Sequence, residues 1–537
     1  MTSSVALLAV GLLAAGCASQ PAPSATVDTK DAATNYVIAV AQDFQGADRA
    51  SYSSEAAKTL ADVMQGRLLE LETATGDALA CYDDAPASIK PSSALVDSWE
   101  VIEDGLGMDI TLKQGVTSAA GNELTAADVE WTIQRIQAID TTGTSLWFSI
   151  GGFDAEDPIT IHDDYSFTLN ITAPNALAPY ALAGTAGMIY DSQTVIANAT
   201  AEDPWGVTWL QDHTANYGPW DLTQFSAQQL VFSTNENYAE PRGPLETLTV
   251  QSVPDSSSRI QMLQTGDVDE VNGLDYTQMA ALESNAAVSM VKCAATARDW
   301  FGVNMADPIL GDEKVRQALS LALDRDAIVA GVYNGLVTPA VSGLSSAFGV
   351  DEGEYYAYDV KRAKKLLAEA GHADGFSIEL SVSPAQPGAY SSNLSALIQQ
   401  QLSEIGVTVN IKTVPSAVDY RDAGRAQSMQ AWLLAESPAF QNAGYSAWLT
   451  AGQGGLQNYS GFADDRLDVL ADGIMTGSAA GKTEVQDLSD LIDTAQPAIY
   501  LIDRPTIFMR ASCVVEVPTS TLVVNYAGAV STCGAGN

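Results

Sequence analysis

VNMADPILGDEKVRQALSLALDRDAIVAGVYNGLVTPA, residues 303–340, is the stretch that decides the fold. Val315, Ala318, Leu319, Ala322, Val329 and Val332 recur in it at helical spacing, so a helix lays one apolar face on a core. Asp312 and Glu313 stand at its start, where the helix dipole favours carboxylates, and Gly335 stands at its close. Lys314, Arg316 and Arg325 are interleaved with Asp324 and Asp326. Their charges nearly cancel, which argues for a helix that serves architecture and against one that grips an anion.

Outward from that block, helix-like and strand-like segments alternate. YDVKRAKKLLAEAGHADGFSIELSV (358–382) and NLSALIQQQLSEIGVTVNIKTV (393–414) each read as a helix, a glycine stop and a strand. Such αβ units imply a sheet that is parallel at least in part. Upstream, YVIAVAQDF (36–44) has the length and branching of a buried strand, and SSEAAKTLADVMQGRLLEL (53–71) begins as a helix. WEVIEDGLGMDITLKQGV (99–116) reads as two strands around a turn at Gly105 and Gly107. LTAADVEWTIQRIQAI (124–139) opens with Thr125 and Asp128 in a capping-box spacing. GPWDLTQFSAQQLVFSTNENY (218–238) reads as paired strands and LETLTVQSV (245–253) as another. SSRIQMLQTGDVDEV (257–271) is a helix stopped at Gly266 and followed by a short strand.

These segments, in this order, resemble the extracytoplasmic solute-binding proteins of ABC importers, family 5, the peptide and nickel type. The likeness runs from about residue 36 to 525. It rests on LVDSWEVIEDGLGMDITLKQGV followed by LTAADVEWTIQRI, on NYGPWDLTQF with the STNENY hairpin, on SSRIQMLQTGDVDEV, on the VRQALSLALDR block, and on AKKLLAEAGHADGF with LSEIGVTVNIK. The resemblance implies an α/β, two-lobed periplasmic-binding-protein-like fold with an inserted subdomain in lobe I (cluster C type). It places lobe I at 36–78, 216–300 and 496–537, the insertion at 79–215 and lobe II at 301–495. It further implies capture of a peptide or peptide-like solute by lobe closure, delivery to ABC permease subunits in a membrane, and a monomer without cofactor, metal or covalent chemistry.

The ends of the chain fit that job. Residues 1–16, MTSSVALLAVGLLAAG, carry no charge, and their apolar run is too short to span a bilayer, so they read as an export signal. LLAAGC resembles a lipobox with Cys17 as the lipidated residue, although Ala14 replaces the commoner leucine and no Lys or Arg precedes the run. An ordinary signal peptide cut nearby is the alternative. Residues 17–35 are polar and rich in Ala, Ser, Thr and Pro, a tether composition. The expected location is the outer side of a bacterial cytoplasmic membrane, with contact to the membrane only through the anchor.

The chain of 537 residues carries 66 acidic and 25 basic side chains, a formal charge of −41. That field repels nucleic acid, which needs Lys and Arg to displace counterions. Cys81, Cys293, Cys513 and Cys533 are an even set in an exported chain, and three pairings are open. We take Cys513–Cys533, closing a C-terminal loop, with Cys81–Cys293. No C-x-x-C occurs, and His162, His213 and His372 are far apart, so metal ligation is not expected. Neither G-x-S-x-G, H-E-x-x-H nor G-x-x-x-x-G-K-[ST] is present. The competing readings are an exported peptidase or glycosidase, which would need converging carboxylates or a Ser/His pair, and a solute-sensing or chaperone-like lipoprotein on the same fold.

For the solute, the resemblance points to QAWLLAESPAFQNAGYSAWLTAGQGGLQNYSG (430–461). Peptide-binding members hold a peptide's amino terminus with an aspartate in this segment. The matching acid here is Glu436, followed by Ser437 and Pro438 where the family has Tyr and Asp. Trp432, Tyr445 and Trp448 are candidate walls, the last because a buried indole N–H wants a partner. Trp300 is expected near the hinge. Trp147, beside Phe148 in GTSLWFSIGGFD, is expected on an exposed loop of the insertion, and Tyr52 after the first strand in lobe I. Arg421 and Arg425 are weaker candidates as partners of a solute carboxylate.

Overall fold

The computed structural model describes residues 32–48, 55–64, 66–74, 81, 89–91, 94–139, 142–184, 187–293, 297–384, 386–436, 438–520 and 522–533. Tyr52 and Cys17 lie outside them, as do the export signal and most of the tether. Two large sheets organise the rest. The first runs Val288–Lys292, Ile507–Ala511, Glu270–Val271, Asn35–Val40, Thr247–Ser252, Gln229–Thr234, Trp220–Phe225. Asn35–Val40 is parallel to both its neighbours, and the other pairs are antiparallel. The second runs Thr338–Pro339, Ala498–Arg504, Ala297–Val303, Ala431–Glu436, Phe376–Val382, Val407–Thr413. Its two helix–Gly–strand units supply the parallel ladder of Phe376–Val382 with Val407–Thr413.

A four-stranded antiparallel sheet, Val96–Val101, Gly107–Leu112, Ser166–Asn170, Ile159–Asp163, forms the insertion. Its inner face carries Met108, Ile110, Phe167 and Leu169, packed with Val129, Ile133 and Ile136 of helix Ala126–Ile139. Strand period 2 meets helix period 3.6 across one core. Asp128 caps that helix from within, accepting from Thr125 N at 2.9 Å and from Ser192 N at 3.0 Å.

The chain crosses between the large sheets after Val288–Lys292 and again after Ala498–Arg504. Both crossing strands, Ala297–Val303 and Ala498–Arg504, are hydrogen-bonded into the second sheet. Residues 297–300 and 498–504, which fall in lobe I by the boundaries read from sequence, are thus strands of the second sheet.

The block that opened the sequence is two helices, Glu313–Leu321 and Arg325–Val332, with Asp324 capping the second. Arg316 and Arg325 are buried and do not pair with Asp324 or Asp326. Arg316 donates to the carbonyls of Ala495, Leu310 and Gly311, and Arg325 to those of Tyr500, Ser320, Leu323 and Tyr356. Their cations are satisfied by peptide dipoles, and burial pulls Arg325 down to about 10. Part of the chain's acidity also has local work, since Asp255, Asp275, Asp312, Asp324, Asp359 and Asp464 each accept a backbone N–H at a helix start. Disulfides join Cys81 to Cys293 and Cys513 to Cys533.

Candidate functional site

Ala431–Glu436 is one of the two central strands of the second sheet, and Glu436 is its last residue. Cross-strand register sets Glu436 opposite Arg298, and Arg298 opposite Asp503. Three charged side chains thus form a row across three buried strand ends. Arg298 gives Nε to Asp503 at 2.7 Å and its terminal nitrogens to the carbonyls of Gly343 and Ser342 at 2.9 Å each. It also lies 3.7 Å over the Tyr500 ring. With the guanidinium so committed, the Glu436 carboxyl receives no donor among the described residues, although its residue is only 1% exposed.

The Ser446 hydroxyl faces that carboxyl without reaching hydrogen-bond geometry, and it too lacks a partner. Burial pushes Glu436 up to about 8, against the pull of Arg298, Ser446 and Arg504 and with a further push from Asp503. A buried polar group without a partner costs free energy in the fold, so a donor from outside would be welcome there.

Helix Ala443–Ala451 follows and turns its aromatic side chains toward the insertion. Phe440, Tyr445 and Leu449 share one apolar cluster with Trp147, Ala178 and Leu182 of the insertion, and Trp448 packs on that cluster and on the second-lobe cluster of Trp300 and Trp432. Ala176 N donates to Met475 O at 3.1 Å, a backbone bond between the lobes. Glu436 therefore stands where the second lobe meets the insertion.

The candidate aromatics separate under this geometry. Tyr445, Trp448 and Trp147 come together at the lobe contact. Trp147 is fully buried in the helical turn Ser145–Ile150, its ring tilted against that of Phe153 with centroids 5.1 Å apart; it is not on an exposed loop. The apolar run LWFSI closes a turn of helix because Trp147 and Ile150 have a core to enter, with Leu146 and Phe148 packed against it. Trp300 is buried mid-strand near Tyr500 at 6.1 Å. Trp432 lies flat over Gly302 of the adjacent strand, its indole N–H without a partner. Glu436 is buried at the end of its strand. Arg421 is exposed beside Asp422. His162 and His213 are exposed, and among the described residues no His/Cys/Asp/Glu group is arranged to hold a metal.

Sequence reading missed Arg298, Asp503, Asp299 and Arg504. Asp299 accepts from Tyr333 Oη at 2.7 Å and Tyr390 Oη at 2.6 Å, and lies 3.4 Å from Arg504. Tyr276, from a first-lobe helix, packs edge-on to Tyr333 and Tyr390 at 4.9 and 5.5 Å. Arg504 also donates to the Glu436 carbonyl at 2.9 Å. The two crossing strands are thus tied to each other and to the strand end that carries Glu436.

Comparison with known proteins gives a concordant picture. The sequence model of bacterial extracellular solute-binding proteins, family 5, matches residues 90–458. A heme-binding protein A of Haemophilus influenzae is 26% identical over 432 residues, 76% of each chain. A glutathione-binding protein of Escherichia coli is 24% identical over 433 residues, 77% of this chain and 81% of that one. Among solved structures, the periplasmic binding protein DppA of Helicobacter pylori, associated with an ABC transporter and in complex with peptide STSA, superposes with a TM-score of 0.73. It has 19% identity and covers 94% of this chain and 98% of its own.

Proposed function

Because the chain belongs to the bacterial extracellular solute-binding proteins of family 5, we propose that it captures peptides or peptide-like solutes between its lobes and hands them to the permease of an ABC importer. The observation that carries this reading is Glu436, a carboxyl buried at the contact of two lobes with no donor of its own. A solute's ammonium supplies the donors that the protein withholds, and Tyr445, Trp448 and Trp147 supply apolar wall for its side chains. The glutathione and peptide ligands named for the relatives support this solute class. Glu436 has one more methylene than the family's aspartate, which shifts the carboxylate and favours solutes whose amine is presented differently from that of an ordinary dipeptide. Closure by hinge motion fits the two crossing strands.

Lipidation at Cys17 and the tether to residue 35 belong to the same proposal: they hold the clamp close to the permease. A thermal-shift panel of peptides, glutathione, sugars and metal chelates tests the solute class, since a ligand of the folded state raises Tm by mass action. A shift confined to sugars or chelates contradicts it. Cys17→Ala is expected to move the protein from the membrane fraction to the soluble one, and unchanged partitioning contradicts the anchor.

A further inference from the structure

We propose that Glu436 meets the solute as a neutral acid and gives its proton to bulk water when a solute ammonium settles against it, so that capture releases a proton. This rests on the reading of Glu436 as the partner of a solute amine, and it adds a regulation that the reading does not contain: binding that tightens as pH rises.

The geometry carries the argument. Groups that face Glu436 come from each element packed on its strand end. From Ala297–Val303 comes Arg298, whose Nε is given to Asp503 and whose terminal nitrogens are given to the carbonyls of Gly343 and Ser342. From Ala498–Arg504 come Asp503, which answers Arg298, and Arg504, which bonds the backbone carbonyl of Glu436 and pairs with Asp299. Tyr500 on the same strand shares a hydrogen bond with Thr450 at 2.6 Å. From helix Ala443–Ala451 come Ser446 and Tyr445, neither of which donates to the carboxyl.

An ionised carboxylate in such a place has lost water and gained no donor, and a group so placed neutralises. Burial accordingly lifts Glu436 to about 8, so it is the acid at neutral pH. An arriving ammonium reverses the balance by bringing both a positive charge and N–H donors. The solute keeps its proton, Glu436 loses the one on its carboxyl, and that proton leaves to solvent. Charge is conserved: one cation enters and one proton departs.

Two measurements test this. Infrared difference spectra between the solute-free wild type and Glu436→Gln at pH 6 are expected to show the carbonyl stretch of a buried neutral carboxylic acid, which disappears at pH 10. Gln keeps the shape of the neutral acid, so the variant folds. No such band at pH 6 overturns the proposal.

The second is calorimetric titration with glutathione and with peptide STSA at pH 6.5, in two buffers of different protonation enthalpy. The expected release is close to one proton per solute bound in the wild type and none in Glu436→Gln. Apparent affinity should rise about tenfold from pH 5.5 to 6.5, a range where an α-amine stays protonated. Binding without proton release overturns the proposal and leaves the solute reading intact. Failure of both probes to bind counts against the peptide reading, and the infrared band, which needs no solute, still decides the state of the acid.

Discussion

A carboxyl held neutral by burial leaves a mark on stability as well as on binding. Glu436 has a folded value of about 8 against 4.5 for the free side chain. The folded state therefore holds a proton that the unfolded state has shed, and stability falls as pH rises from 4.5 to 8. Each unit of difference corresponds to about 1.4 kcal/mol, so the penalty reaches several kcal/mol once Glu436 is ionised. Glu436→Gln removes that dependence. Its Tm relative to wild type should climb across this window and stay level below it, as scanning calorimetry from pH 4 to 9 would show. A Tm difference that is flat across the window contradicts a buried neutral acid. Asp269, lifted to about 6 by burial, adds the same sign of slope at lower pH. At Gly302, a Cβ would come 2.3 Å from the Trp432 indole. Gly302→Ala should cost roughly 1–3 kcal/mol by denaturant titration, because one ring must leave its place or the strands must part.

At the level of elements, the two crossing strands hold the site together. Arg298 and Asp503 are both buried, and Arg298→Met strands a carboxylate whose remaining donors come from Ser345 and Ser346. Losing one partner of a buried pair costs about 3–5 kcal/mol, so this variant should show a sharply lowered urea midpoint. Tyr390→Phe takes away one of two hydroxyl donors to Asp299 and should cost about 1–2 kcal/mol. Lys314→Ala, which breaks only an exposed pair with Glu369, should change stability by less than about 1 kcal/mol. The helices and the alternation of strands were legible because their apolar periods are local, and Glu436 was singled out as a candidate through the family resemblance. The row across the strand ends was not, because Arg298 meets Asp503 from 205 residues away and Arg504 meets Glu436 from 68. One local sign was there: ARDWFGV and AIYLIDR each carry a charged pair at the end of an otherwise apolar run. Trp147 was misplaced for a related reason, since a glycine-rich flank suggests a loop until the partner core is known. The break between Leu321 and Arg325 was equally concealed, because one apolar stripe runs through both helices.

The whole molecule is two α/β lobes joined by two strands and meeting again at the insertion. Cys81–Cys293 closes a span of 212 residues, from the start of the stretch assigned to the insertion to the last residues before the first crossing. Replacing both cysteines by serine should lower stability by about 2–5 kcal/mol, read as a drop in Tm that reductant does not deepen further at this bond. The account turns on a solute held between lobes through Glu436. Its most direct test is calorimetric titration of the wild type and Glu436→Gln with the peptide-like solute that gives the largest thermal shift. The account predicts saturable binding to the wild type and an affinity at least about tenfold weaker in the variant, the loss expected when a charge-assisted bond becomes neutral. Equal affinity in the two proteins would contradict it.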